Sequence, residues 1–136
     1  MTYKSIKDFL SAINEQNAKV QEGIDFHKLA EKGELPPGIF DKTPELREFF
    51  GPNSQAEVPI AGFINGTVQS RRIDRVAVFD DEVRFLDFKT GSDLGDYDQQ
   101  MSEYGKLLSE VYTNKKVTGW IYWVEKSALQ QAYPKL

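Results

Sequence analysis

The dipeptide Asn65-Gly66 constrains the fold more than any other feature of this sequence. It separates two runs in which apolar and polar residues alternate, "AEVPIAGFI" and "TVQSRRIDRVAVF". Alternation with a period of two is typical of strands, and Asn-Gly favours the two-residue turn of a β-hairpin because both residues tolerate a positive φ. The sequence therefore predicts an antiparallel hairpin. Because Pro59 cannot donate a hydrogen bond to a ladder, the first strand is expected to be an edge strand or to carry a bulge.

A third strand is predicted directly after this hairpin. The run "EVRFLDFKT" follows Asp80 and Asp81, which suit a tight turn, so we expect an antiparallel meander of three strands. After the loop "GSDLGD", the segment "YDQQMSEYGKLLSEVY" has helical spacing and the run "KVTGWIYWVE" predicts one further strand. The apolar face expected for this helix consists of Tyr97, Met101, Tyr104, Leu108 and Val111.

Three helical segments are predicted before the hairpin. The first begins near Ser5 and has an apolar stripe formed by Ile6, Phe9, Leu10 and Ile13. The second lies in "AKVQEGIDFHKLAEKG", places His27 on its inward face and ends at Gly33. The third, "TPELREFFG", is expected to be capped by Thr43. The predicted class is α/β, a mixed central sheet flanked by helices.

Length and composition limit the classes of protein and of site. At 136 residues and 40% hydrophobic composition, the chain is expected to form one domain, residues 1–136. No run approaches the roughly 18 apolar residues of a membrane span, and charged residues interrupt the N-terminal apolar positions, so we expect a cytoplasmic protein with no membrane partner. With no cysteine, a metal site must use oxygen and histidine ligands. The formal net charge of −4 does not attract nucleic acid overall.

Three charged residues occur on neighbouring apolar strands. Residues two apart in a strand share a face, so Asp87 and Lys89 point the same way, and the hairpin can bring Asp74 beside Asp87. Two carboxylates in contact repel each other unless a cation lies between them. Carboxylates with water suit Mg²⁺ or Mn²⁺, and an adjacent lysine can orient an attacking water. This combination makes phosphodiester hydrolysis plausible.

A simpler interpretation of the same residues is equally consistent with spacing alone. Asp74 with Arg75, and Asp87 with Lys89, could form ordinary ion pairs on an exposed strand face. An Asp-x-Lys tripeptide is common, and a single inward histidine is more often a hydrogen-bonded core residue than a metal ligand. From the residues taken one at a time, this interpretation is the commoner outcome.

Five short motifs in a fixed order give the chain a family resemblance. They are "GIDFH", "EVPIAG", "RIDRV", "LDFKTG" and "YDQQMSEY". This set resembles the RecB-like nucleases of the PD-(D/E)XK superfamily, most closely the C-terminal nuclease domain of the AddA subunit of helicase–nucleases that act in double-strand-break repair. The resemblance extends from about Gly23 to about Val124 and implies a restriction-endonuclease-like core. Many relatives have a glycine two or three residues before the motif aspartate. This chain departs from them, because it has Ser70, Arg71 and Arg72 there.

The resemblance implies a role for each matching residue. His27, Asp74, Asp87 and the main-chain carbonyl of Phe88 are the expected metal ligands, and Lys89 is expected to position the attacking water. The remaining expected site residues, on the helix after the loop, are Gln100 and Tyr104. The motif also includes Glu57, whose role stays open.

The implied activity is Mg²⁺-dependent hydrolysis of DNA, of exonuclease type and with little sequence specificity, with Mn²⁺ as a substitute. Because no "GxxxxGK[ST]" phosphate loop occurs, this chain is not expected to bind ATP itself. It is either an excised domain or a small stand-alone relative, and a helicase motor and a second nuclease subunit are possible partners that would deliver single-stranded ends. Candidate contacts to the DNA backbone are Arg71, Arg72, Arg75, Lys106, Lys115 and Lys116. The alternatives are a nuclease-like domain that only binds DNA or protein, and a hydrolase of small phosphate esters.

Overall fold

A single five-stranded sheet organises the molecule. The computed structural model describes residues 26–35, 37–90 and 97–135. Its strands, which follow chain order across the sheet, are β1 Ser54–Ile64, β2 Thr67–Val78, β3 Glu82–Lys89, β4 Lys116–Trp123 and β5 Ala128–Tyr133. The first three form the predicted antiparallel meander, β4 is parallel to β3, and β5 is antiparallel to β4. The predicted α/β class with a mixed sheet is confirmed, while β5 was not predicted.

Helices flank the sheet. Residues 26–32 form α1, and the later helices are α2 Pro37–Lys42, a 3-10 helix Pro44–Phe50 and α3 Tyr97–Val111. The helix predicted near Ser5 and the loop at residues 91–96 lie outside the described residues. None of the described helices has the length and apolar character needed to cross a bilayer.

The turn at Asn65-Gly66 forms as predicted. Asn65 has a φ of 53° and Gly66 a φ of 78°, the two positive values that a two-residue hairpin turn of this kind requires. Among the described residues β1 pairs only with β2, so it lies at the edge of this sheet, which explains why Pro59 is tolerated in it.

Two details of the predicted helices are wrong. Thr43 makes no side-chain cap for the segment after it, which is a 3-10 helix, and its hydroxyl donates to the carbonyl of Ser127 at 3.4 Å instead. On α3, Met101, Tyr104 and Leu108 are buried as expected, whereas Val111 is 59% exposed because it is the last residue of the helix.

β3 is buried on both faces and separates two apolar clusters. Val83 and Phe85 pack with α3 residues such as Leu108 on one side. Leu86 and Phe88 pack on the other side with residues of α1 and of the 3-10 helix. Since side chains alternate along a strand, Asp87 and Lys89 project on the same side as Phe85, toward α3.

Candidate metal and phosphodiester site

At Asp74, the hydrogen-bonded pairing of β2 with both neighbouring strands is interrupted. Its pairing with β1 is interrupted where Asp74 lies opposite Glu57, and its pairing with β3 ends at Arg75. Glu57 has a φ of 51°, a left-handed conformation that is uncommon for a residue other than glycine. Asp74 Oδ2 accepts a hydrogen bond from the main-chain N–H of Phe88 at 2.9 Å. A carboxylate thus replaces a backbone acceptor where the two strands separate.

Asp87 and Lys89 form an enclosed ion pair beside this gap. Lys89 Nζ lies 2.9 Å from Asp87 Oδ2, and the two side chains are only 16% and 6% exposed. The contact is close, but its angles do not make a hydrogen bond, and this buried oxygen receives no other hydrogen bond from the described residues. The carboxylate is therefore short of donors despite its neighbouring charge.

The two aspartates are near enough to control each other's charge. Burial, the charge of Asp87 and a hydrogen bond to Asp87 raise the pKa of Asp74 from 3.8 to about 9, although the Phe88 N–H lowers it. Glu57 adds a smaller raising effect on this pKa. The pair therefore holds a proton at neutral pH in the absence of a cation.

His27 lies at the rim of this site. Its Nδ1 is 3.5 Å from Asp74 Oδ2 and its ring centroid is 5.8 Å from that of Phe88, so it lies on the sheet-facing side of the helix as predicted, with its side chain 38% exposed. Phe26 packs beside it, with its ring 5.2 Å from that of Phe88 and 6.0 Å from that of Tyr122. Helix α1 thus directs His27 to the gap at Asp74 where β2 and β3 separate, which we call the strand opening. Phe26 holds the helix against the sheet.

Gln100 and Tyr104 approach from α3. Gln100 Nε2 donates to Tyr104 Oη at 3.0 Å, and Tyr104 Oη is 3.5 Å from the carbonyl of Arg72. Burial and the charges of Asp87 and Asp74 raise the pKa of Tyr104 to about 12. The phenol therefore stays protonated and can donate a hydrogen bond beside the two acids.

The structure brings the predicted site residues to one place. Phe88 contributes only its main chain, since its ring is 2% exposed and lies in the apolar cluster on the other face of the sheet. Glu57, which sequence reasoning left without a role, belongs to the same strand opening, and its only sequence signal was the "EVP" motif.

Arg75 does not face solvent, so its assignment as a DNA contact is wrong. It is 7% exposed, and burial lowers its pKa. Its guanidinium donates to the carbonyls of Phe49 at 2.6 Å and Ala30 at 2.8 Å, and it lies 4.3 Å from the ring centroid of Phe50. The proposed exposed pair with Asp74 is therefore also wrong, because Arg75 is held on the other side of the sheet.

The remaining candidate DNA contacts differ in availability. Arg71 is paired with Glu103 at 2.9 Å, and Lys115 donates to the carbonyl of Phe79. Arg72 has a side chain 70% exposed and lies 3.9 Å from Glu57. The two other candidates, both exposed, are Lys106 and Lys116.

The donor types fit a hard divalent cation, although the side chains are closed on one another. Among residues 26–35, 37–90 and 97–135, no group of three or more His, Asp or Glu side chains could hold a metal ion as it stands. Two observations nevertheless favour a cation here: the buried Asp87 Oδ2 without a hydrogen-bond donor, and the raised pKa of Asp74. A cation between the carboxylates would supply the positive charge that the shared proton now supplies.

Comparison with known proteins supports the fold. No protein-family model and no curated protein matches the chain. A solved structure from Eubacterium rectale, described as a "Putative exonuclease", shares the fold with a TM-score of 0.52 at 14% identity. The match covers 72% of this chain and 42% of the other, so this chain spans about two fifths of that structure's length. A second structure, SSO0001, matches at 16% identity over 88% of this chain and 63% of its own, with a TM-score of 0.41.

Proposed function

We propose that this chain is a metal-dependent nuclease domain that hydrolyses DNA phosphodiester bonds. The observation that carries the proposal is the strand opening where Asp74 and Asp87 meet beside the enclosed Lys89. A lysine held against a carboxylate that lacks hydrogen-bond donors is a costly arrangement for stability alone. The fold shared with a structure described as an exonuclease, together with the ordered RecB-like motifs, supports the same activity.

Four groups would hold the metal. The expected ligands are His27, Asp74, Asp87 and the main-chain carbonyl of Phe88. Mg²⁺, or Mn²⁺ in its place, would supply a polarised phosphate oxygen and a water of lowered pKa. The contacts of His27 and Lys89 with the two aspartates would have to open for this.

The remaining residues act on the substrate and the water. Lys89 Nζ, 2.9 Å from Asp87 Oδ2, would hold the attacking water in line with the leaving oxygen. Tyr104, whose raised pKa keeps its proton, donates a hydrogen bond to the phosphate. Gln100 orients the Tyr104 hydroxyl from one helical turn away.

The substrate and setting follow from the same proposal. Contacts to phosphate and sugar carry no base identity, so cleavage has little sequence specificity. The exonuclease type is what the RecB-like resemblance implies. In the wider proposal the chain is an AddA-like nuclease domain of a helicase–nuclease in recombinational repair. A motor and a second nuclease subunit would then deliver single-stranded ends to it.

Cleavage of an end-labelled single strand tests the activity. Wild type with Mg²⁺ or Mn²⁺ is compared with Asp87→Asn and Lys89→Met, and with the exposed matched controls Asp80→Asn and Lys42→Met. We expect product with the wild type and both controls, at least 100-fold less with the two site variants, and none in chelator. Cleavage unaffected by both site substitutions would refute the proposed site.

One observation favours a second function, a nuclease-like domain that binds DNA or protein without cutting it. The side chains of the site contact each other directly, and the described residues contain no ready metal cluster. In that case Mg²⁺ would neither stabilise the protein thermally nor produce cleavage. Saturable stabilisation by Mg²⁺ that is lost in Asp87→Asn would exclude this second function.

A further inference from the structure

A groove of about 470 Å³ opens between α3, β4 and β5, next to the candidate site. Its volume lies within the range of small-ligand pockets. The residues on which the argument depends are Tyr97, Trp123, Gln130, Gln131, Asp98 and Lys135.

The groove adjoins the proposed catalytic lysine. In the parallel ladder of β3 and β4, Lys89 is the partner of Trp123, so the two residues lie side by side, one strand spacing apart. Trp123 belongs to the α3 side of the sheet, the side toward which Lys89 also projects. A strand whose phosphate lies at Lys89 would therefore have its next nucleotide at the groove.

The lining suits a nucleobase better than a phosphate. The rings of Tyr97 and Trp123 meet edge to face with centroids 5.1 Å apart, and Trp123 Nε1 donates to Gln130 Oε1 at 3.0 Å. Aromatic faces stack on bases, while amides can donate to and accept from base edges. The charges at the rim are balanced, because Lys135 Nζ pairs with Asp98 Oδ2 at 3.0 Å. A phosphate pocket would instead need surplus positive charge.

We infer that this groove, with Trp123 at its centre, binds a base of the single strand next to the scissile phosphate. The inference rests on the proposed nuclease function and adds a stacking subsite that sets how the strand lies across Lys89. Because every base offers a π-face, such a subsite strengthens binding without reading sequence.

The two tryptophans of the chain provide a direct test. Trp120 lies in the apolar cluster on the opposite face of β4, where its Nε1 donates to Thr118 Oγ1 at 3.1 Å. Trp120→Phe leaves Trp123 as the only tryptophan, and Trp123→Phe leaves only Trp120. Oligothymidylate is titrated into each protein with Ca²⁺ in place of Mg²⁺. Binding is followed by the anisotropy of the labelled strand, and gel electrophoresis verifies that the strand stays intact.

We expect saturable quenching of emission in the Trp120→Phe protein and none in the Trp123→Phe protein, although both bind. An abasic strand of equal length should bind without quenching, since it has no base to stack. Anisotropy that reports binding while Trp123 emission stays constant would overturn the groove and leave the nuclease proposal intact. Absence of both binding and cleavage would overturn the groove together with the proposed function.

Kinetics of the full chain give a second, independent readout. Trp123→Leu should raise KM for single-stranded DNA roughly 5- to 100-fold, the range for loss of one stacked base, and change kcat much less. Trp120→Leu is the matched control, with KM expected to stay near that of the wild type. Equal KM values for the two leucine variants, with both folded by circular dichroism, would overturn the inference.

Discussion

Asp74 shows how one residue combines a structural and a chemical role. Its carboxylate accepts the Phe88 N–H that the open ladder leaves without a strand partner, and it faces Asp87 across the same gap. The pKa of Asp74 rises from 3.8 to about 9 on folding because of burial and the neighbouring acid. The folded state therefore binds this proton more tightly than the unfolded state does. The proton stabilises the folded protein fully only below the pKa that Asp74 has in the unfolded protein.

The first prediction concerns Asp74→Asn, which keeps an acceptor for Phe88 and removes the titration. In chelator, the stability of the wild type relative to this variant should fall as pH rises from 4 toward 9. The unfolding temperature should change by roughly 3–5 °C for each kcal/mol lost. Circular dichroism melts at pH 5 and pH 8.5 measure the difference. Parallel pH profiles of the two proteins would contradict the raised pKa.

Arg75 connects α1 to the sheet directly behind the site. It donates to the carbonyl of Ala30, one helical turn beyond His27, and to that of Phe49 in the 3-10 helix. The Ala30 carbonyl also accepts a hydrogen bond from the N–H of Gly33 at 3.1 Å, so Arg75 adds a second, charged donor where α1 ends. Arg75 is therefore a positioning residue that fixes the helix carrying His27 relative to Asp74.

The second prediction is that Arg75→Met lowers stability by about 2–4 kcal/mol, because the Phe49 and Ala30 carbonyls lose the hydrogen bonds that a buried guanidinium donates. The milder Arg75→Lys should fold but need more Mg²⁺ for half-maximal cleavage, since His27 is less well placed. Arg47→Lys, at an exposed arginine paired with Asp41, is the control. A normal Mg²⁺ requirement in Arg75→Lys would show that Arg75 only supports the fold.

At the scale of elements, the contact between β3 and β4 positions β3, the strand that carries Asp87 and Lys89. Phe85 is paired with Gly119 in the parallel ladder, and its fully buried ring lies over this glycine. A Cβ at position 119 would clash with this ring, so the ring can lie over β4 only because residue 119 has no side chain. The same ring is 6.0 Å from that of Tyr104, which links this packing to the site.

The third prediction is that Gly119→Ala destabilises the protein by about 1–3 kcal/mol through overpacking and lowers cleavage by displacing Phe85 toward Tyr104. The control is Gly38→Ala in α2, where a Cβ would meet nothing within 4 Å and alanine favours the helix. Urea denaturation of both variants measures the difference. Equal midpoints for Gly119→Ala and wild type would refute this account of the packing.

At the scale of the whole molecule, the net charge does not attract nucleic acid, so any attraction has to come from groups close to the site. The net charge is −4, Arg75 is buried, and Arg71 is neutralised by Glu103. Few cations therefore remain on the described surface near the site, and under the proposed function stacking and the metal would have to supply much of the affinity for a single strand. This differs from proteins whose binding depends on many phosphate contacts.

The fourth prediction follows from that distribution of charge. With about two phosphate contacts, affinity for a single strand should fall by less than about tenfold between 50 and 200 mM salt at constant divalent cation. Anisotropy titrations at four salt concentrations give the slope. A loss of a thousandfold would indicate many more phosphate contacts than the described surface provides.

Local patterns determined most of the elements. Asn65-Gly66 with its flanking alternation specified the hairpin, and the spacing of Asp87 and Lys89 placed them on one face, because turn chemistry and strand periodicity depend on near neighbours. β5 was missed because "ALQQAY" has polar residues at its centre and becomes a strand by pairing with β4. Its strand conformation depends on pairing with β4, which its own apolar pattern does not indicate.

Only the tertiary structure decided the environment of each charge. Around Asp74, where the pairing with β1 is interrupted, β2 departs from simple alternation: Ile73 and Val76 both pack toward α3, and Arg75 points to the other side. Simple alternation cannot predict that change, because it occurs where the pairing of β2 with both β1 and β3 is interrupted. The sequence by itself indicated the candidate site residues. Long-range packing decided which of them are buried, paired or shifted in pKa, since burial and charge depend on neighbours far apart in the chain.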